Sequence, residues 1–344
     1  MDCKKLRTKR HHIDWHSKTP GIATALLVIV VAVGAPQVWR DGAGVHTISN
    51  LFLVMSGIGI IAIGTQVVLL TGGIDFTAGT GTALAGATGG LMYIMTGSFT
   101  MMIAVAILTG LVIGFVNGLI ITRLNILPFV ATLAMMSVCH GLSHMVLEGR
   151  FVMLDTALSR IIGSGRFNDV FGLAFDPGNP ATWPLQILSV PLTLFAVVAV
   201  FSYILLNKTR TGAYIYAIGG KEEAAKLAGV NVKKVKLKVY IFAGFCYGLA
   251  SVLILSRIAQ VTPNIAGTLH LEAIAAVVVG GTSIAGGKGT VGGTVLGLIF
   301  IQLLSSAMIF FRLPHTLPQA VVGIAILAIL LLEGFFAKRK KPAI

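Results

Sequence analysis

Ten apolar stretches, each bounded by charges or turn residues, follow one another along this chain of 344 residues. Such a pattern leaves few folds open. A hydrocarbon core about 30 Å thick is crossed by ~20 apolar residues in helical form, and a spanning segment must satisfy its own backbone hydrogen bonds. The stretches fall at about 21–38, 49–70, 76–96, 99–122, 126–147, 184–206, 237–256, 270–285, 291–311 and 316–334. The eighth is short, and only Thr-Gly-Gly-Ile-Asp separates the second from the third. Charged residues make up 11% of the chain, against roughly 25% in soluble globular domains. The 41 glycines suit helices that approach closely in lipid. The expected fold is all-α, a polytopic transmembrane bundle of about ten helices forming one membrane domain over 21–336. A basic N-terminus, 1–20, and a basic tail, 337–344, flank it.

Charge distribution orients the bundle. With the N-terminus inside and the spans alternating, 20 of the 26 Lys and Arg residues lie on the cytoplasmic side. The inverted arrangement would place those 20 outside, against the positive-inside rule. The net charge of +14 is accordingly read as orientation rather than as affinity for nucleic acid. The start, KKLRTKRHH and an apolar run, resembles a secretory signal, but its candidate cleavage site VGA is followed by Pro36. An uncleaved first helix is expected. Cys3, Cys139 and Cys246 are scattered and odd in number, with neither disulfide nor zinc spacing.

Two loops exceed turn length: 148–183, expected outside, and 207–236, expected in the cytoplasm. The inner loop contains KEEAAKLAG, read as a short helix with Gly219–Gly220 before it and Gly229 at its C-terminal cap. Glu222 and Lys226 can pair one turn apart. Ala224, Ala225, Leu227 and Ala228 leave much of the helix small and apolar. So short a helix is marginal alone. It is either part of a solvated basic loop or a segment that packs into a cytoplasmic motor subunit.

Two glycine-rich segments, GGIDFTAGTG at 72–81 and GGTSIAGGKG at 280–289, share the pattern Gly-Gly, five residues, Gly, any residue, Gly. Each stands where an inward-running span turns outward. They read as matched turns of two halves or as a weak internal repeat, although glycine-rich composition alone also yields such a match; in transporters, interruptions of this kind point toward a solute path. Candidate pathway residues are Gly72, Gly73, Asp75, Thr77, Gly280, Gly281, Thr282 and Ser283. Asp75 reads equally as an ionisable group facing a cavity and as a cap on the third span. Glu272, near the outer end of the eighth span, either lines the outer mouth or reaches the interface. Neither glycine segment is a nucleotide-binding Walker A loop, because Lys288 is followed by Gly289. His140 and His144 stand four apart on the fifth span, with Cys139 beside them. That is ligand spacing without a third ligand, and no metal site is expected.

Four motifs in order then carry a resemblance. GGIDFTAG at Gly72–Gly79, HLEAIAAVVVGGTSIAGGKGT at His270–Thr290, AIGGKEEAAKLAGVNV at Ala217–Val232 and PFVATLAMMSV at Pro128–Val138 resemble the membrane permeases of bacterial ABC importers for simple sugars, the ribose/xylose/arabinose/galactoside branch. The likeness covers the chain from residue 49 on. It implies import of a sugar or sugar-like solute across the bacterial inner membrane. It also implies partners: a second permease copy or a related permease, an ATP-binding subunit that hydrolyses the ATP, and an extracytoplasmic solute-binding protein. The permease itself would be no enzyme and hold no cofactor. Gly220, Lys221, Glu222, Ala224, Ala225, Leu227 and Gly229 then become candidates for coupling to the ATPase. Departures from the pattern are Lys221 in place of Asn, Glu272 in place of Asp, and His140 where Arg is common. An ABC permease for branched-chain amino acids, of related fold, is the alternative, and GGIDFTAG favours sugars. An ion-coupled transporter would carry more polar residues in its spans, and a membrane enzyme would show a catalytic cluster.

Overall fold

The computed structural model describes residues 43–311 apart from 174–178, 180–182 and 264–268, together with 320, 323, 324 and 327. Within these residues the chain forms thirteen helices and one two-stranded pairing. It is a multi-pass, all-α membrane protein. The first expected span, most of the tenth, and both basic tails lie outside the described residues.

Two long helices form the centre. α1, Ala43–Leu70, and a later helix over Val232–Ile258 run 28 and 27 residues, about 40 Å each at 1.5 Å per residue. Around them stand α2 (Thr77–Thr96), α3 (Phe99–Arg123) and α4 (Pro128–Leu147). β1 (Val152–Met153), α5 (Ala157–Ser164), α6 (Phe167–Val170) and α7 (Trp183–Ile187) follow on one end of the bundle. α8 (Val190–Lys208), α9 (Arg210–Gly220) and α10 (Glu222–Leu227) lead into the central α11, Val232–Ile258. β2 (Gln260–Val261), α12 (Leu269–Val279) and α13 (Val291–Phe310) complete it. β1 and β2 pair antiparallel, Val152 opposite Val261.

Burial separates central from peripheral helices. Some 94% of the apolar window of α1 is buried and 72% of that of α11, but only 33% for α3 and 28% for α4 and α8. Small residues set the closest contact. Gly110, Gly114 and Gly118 line α3 at four-residue spacing; Gly110 and Gly114 meet Gly244 and Gly248 of α11, and Gly118 meets Leu237 and Tyr240. A Cβ on Gly244 would stand 2.9 Å from the Gly114 Cα. The two backbones touch, as helices packing in lipid through Gly-xxx-Gly faces do.

Expected spans two to nine each contain a helix, with instructive changes of boundary. The sixth begins only at Val190, since Ser189 caps a new helix by accepting from Leu192 N. The seventh starts at Val232, five residues early, because Asn231 caps it and its first Lys residues are solvated. The eighth is described over 11 residues, Leu269–Val279, and stops at Gly280, six residues before the end of the apolar stretch read from the sequence. α9 was legible only as loop. Its Thr209 accepts from Gly212 N as a cap, and Ile215 and Ile218, one turn apart, fill the core.

Candidate permeation and coupling site

The two matched glycine segments and the inner loop, far apart in sequence, meet at one end of the bundle. Gly287 N donates to Leu70 O at 3.0 Å, joining the turn after α12 to the end of α1. A Cβ on Gly286 would lie 2.8 Å from Gly72 N and 3.0 Å from the Gly219 Cα. One on Gly219 would overlap Leu70 O and Gly287 N. Three backbones thus converge with no side chain between them. Gly72, Gly281, Gly286 and Gly287 hold φ of +76, +85, +88 and +72°, the left-handed region that costs other L-residues. Tyr216 of α9 adds a side-chain tie, its hydroxyl donating to Gly289 O at 2.9 Å.

From Gly72 the chain climbs into the bundle. Asp75 is buried, and its Oδ1 accepts from Thr77 N at 2.8 Å and from Thr77 Oγ1. Its Oδ2 accepts from Tyr247 Oη of α11 at 2.9 Å. Asp75 thus accepts a first-turn N–H of α2 and, buried, accepts from a second helix, α11. Asn117 of α3 donates to Thr77 Oγ1 at 2.7 Å, and Thr132 of α4 donates to Ile74 O at 3.0 Å. The Gly-Gly-Ile-Asp segment so holds α2, α3, α4 and α11 in register. Gly73 packs beside the buried Tyr240 hydroxyl.

The other segment lies alongside. Gly280 and Thr282 are buried, Gly281 is exposed and Ser283 half-buried; Ser283 N donates to Lys288 O at 2.9 Å, closing the turn. Glu272 lies in the first turn of α12. The two glycine segments are thus brought to one end of the bundle, with Asp75, Thr77 and Thr282 buried inside the protein.

Coupling candidates project from the same end. Gly220 closes α9, Lys221 stands between α9 and α10 as the N-cap of α10, and Gly229 follows with φ +82°. Glu222 pairs with Lys226 at 2.8 Å and with Lys236 of α11 at 2.6 Å, pinning α10 to the base of α11. Partial burial pushes the Glu222 carboxyl up, and the hydrogen bonds and charges of the two lysines outweigh this, holding it below its ordinary range. Ala225 turns inward and is buried, whereas Leu227 is 91% exposed, with Ala224 and Ala228 exposed beside it. The sequence pattern did not separate Ala225 from Leu227, since one turn of helix has no defined inner face until it is docked.

His140 is exposed and His144 half-buried on α4, ring centroids 4.8 Å apart. Among the described residues, no group of three His, Cys, Asp or Glu side chains comes together.

The sequence of this architecture matches the family described as branched-chain amino acid transport system / permease component, over residues 47–330. The chain belongs to this permease family. Similar proteins extend along its whole length. The ribose import permease of Bacillus subtilis (strain 168) is 34% identical and covers 100% of both chains. The galactose/methyl galactoside import permease of Salmonella typhimurium is 33% identical over 97% of this chain and 98% of its own. The ribose import permease of Escherichia coli (strain K12) is 32% identical over 91% and 92%. No solved structure gives a significant match. These relatives are transport subunits, and the permease is likewise a transport component.

Proposed function

We propose that this permease forms the membrane pathway of an ATP-driven importer for a simple sugar. What carries the reading is end-to-end likeness to several sugar import permeases at about one-third identity, on a chain whose glycine turns and inner loop converge. In this reading the protein sits in the bacterial inner membrane with both termini and residues 207–236 in the cytoplasm. The clustering of Lys233, Lys234, Lys236 and Lys238 at the α10 end of α11 supports that orientation. An ATP-binding subunit engages α10 through Leu227, Ala224 and Ala228, hydrolysing the ATP that the permease cannot. A solute-binding protein delivers the sugar at the opposite end, where α5–α7 and the β1–β2 pair lie. Two permease copies, or this chain and a related one, enclose the path. Gly72, Gly73, Asp75, Thr77, Gly280, Gly281, Thr282 and Ser283 frame its cytoplasmic end, with Glu272 above them. Motion of α10 reaches the frame through Gly219 and Tyr216.

A second reading, branched-chain amino acid import, is favoured by the family's own description. Uptake of labelled D-ribose, D-galactose and L-leucine by cells expressing the complete importer separates them. Accumulation of a sugar and not of leucine is expected, and the reverse would overturn the sugar assignment.

A further inference from the structure

Asp75 is an acidic side chain that no basic one meets. It is 1% exposed, and it enters none of the ion pairs among the described residues. Its three donors, Thr77 N, Thr77 Oγ1 and Tyr247 Oη, are all uncharged. A carboxylate taken out of water without a counter-charge is costly, and folded proteins pair it, protonate it or set it on a metal ion.

Oxygens with nothing to bond stand around this carboxylate. Asn117 Nδ2 donates to Thr77 Oγ1 at 2.7 Å, while the Oδ1 of the same amide is buried without a hydrogen-bond partner. Tyr240 Oη is likewise buried and unpartnered. It reaches the segment that bears Asp75, since a Cβ on Gly73 would lie 2.8 Å from it. Tyr240 and Tyr247 are two turns apart on α11 and so present their phenols to the same side. Thr80 follows Thr77 by one turn of α2, and its Oγ1 is buried without a partner. Buried polar atoms left unbonded are uncommon and call for a ligand or a water. Here three of them, from α2, α3 and α11, accompany one uncompensated carboxylate.

A set of one carboxylate and several neutral oxygens suits a hard cation, which takes oxygen ligands. The charge decides the class. One carboxylate balances a monovalent ion, whereas a divalent ion would leave net positive charge buried. We propose that Asp75, Thr77, Thr80, Asn117 and Tyr240 hold a monovalent alkali cation as a fixed part of the bundle. The ion neutralises Asp75 and draws α2, α3 and α11 onto one centre beside the Gly72–Gly73 turn. Tyr247, bonded to Oδ2, orients the carboxylate. The site goes beyond the transport reading and holds whichever solute is carried.

The test follows the thermal midpoint of the full-length permease in detergent as NaCl replaces choline chloride at constant ionic strength. The midpoint is expected to rise saturably with Na⁺, by about 3 °C or more. A midpoint equal in Na⁺, K⁺ and choline would overturn the proposal and leave Asp75 neutralised by a proton. Tyr240→Phe is the second arm. Losing a hydroxyl that bonds no protein atom should leave the midpoint in choline unchanged or raise it. Losing a cation ligand should raise the Na⁺ concentration of half-effect by about tenfold. Asp75→Asn, which keeps an oxygen and loses the charge, should abolish the response to Na⁺. An unaltered half-effect concentration in Tyr240→Phe would overturn the site, and that variant decides even if Asp75→Asn fails to fold.

Discussion

The Tyr216 hydroxyl donates to the Gly289 carbonyl, across 73 positions of sequence, at 2.9 Å. It ties the helix preceding the proposed ATPase contact to the turn that follows α12. Tyr216→Phe removes one hydrogen bond and no packing, so a stability loss of about 1 kcal/mol is expected. The more telling effect is on coupling. Sugar carried per ATP hydrolysed, measured in vesicles holding the whole importer, should fall while ATP hydrolysis persists. An unchanged ratio would leave Tyr216 a simple anchor.

Gly219 and Gly220 are neighbours with opposite surroundings. A Cβ at 219 meets the carbonyl of Leu70 and the amide of Gly287, whereas one at 220 meets none of the described residues within 4 Å. Gly219→Ala should force three backbones apart, lowering the thermal midpoint in detergent and abolishing transport. Gly220→Ala should match the unaltered protein or exceed it slightly, because alanine favours helix. Equal behaviour of the two variants would mean that the convergence is loose.

Asp75 and Tyr247 test the buried network. Asn at position 75 still accepts from Thr77 N but presents an amide N–H₂ to the Tyr247 hydroxyl. Asp75→Asn should therefore cost about 1–3 kcal/mol, and Tyr247→Phe a comparable amount by leaving Oδ2 one donor short. Combined, they should be less damaging than the sum, since they break the same bond. Denaturation midpoints of the two single variants and the double variant give the coupling directly. Strict additivity would contradict the hydrogen bond.

Ala225 and Leu227 lie two residues apart on α10 and should fail differently. Ala225→Arg places a charge in the protein's own core and should destabilise the permease. Leu227→Ala should leave its thermal midpoint unchanged and weaken co-purification of the ATP-binding subunit. Retention of that subunit at unaltered strength would move the contact elsewhere.

Glu222 makes the docking of α10 sensitive to acid. Its folded pKa is depressed, so the stabilisation is complete above the ordinary glutamate pKa and is lost as pH falls through the lower folded value. Protease cleavage after Lys226 should be slow at neutral pH and accelerate only in the acid range below that of an exposed glutamate. Glu222→Gln should show fast cleavage at every pH, and a pH-independent difference from it would exclude the ion pairs as the cause.

Much of this protein is determined by local chemistry. Apolar length and the burial of backbone hydrogen bonds dictate helices wherever ~20 apolar residues run together, and so the eight described spans were legible in order. Glu222–Lys226 and the left-handed Gly229 were also legible, because pairing one turn apart and helix termination depend on neighbours in sequence. The stop of α12 at Gly280 was not, since Ile274–Val279 and the glycine turn after it are continuous in composition and only packing decides where such a helix ends. Equally hidden were the partners of Asp75 and the inward turn of Ala225. A carboxylate beside Gly-Gly-Ile accepts whatever donor tertiary packing brings to it, and that donor, Tyr247, lies 172 residues away. The matching of the two glycine segments could be read along the chain. Their contact through Gly219 and Leu70 arises only in three dimensions, where the absence of side chains lets three backbones reach one another.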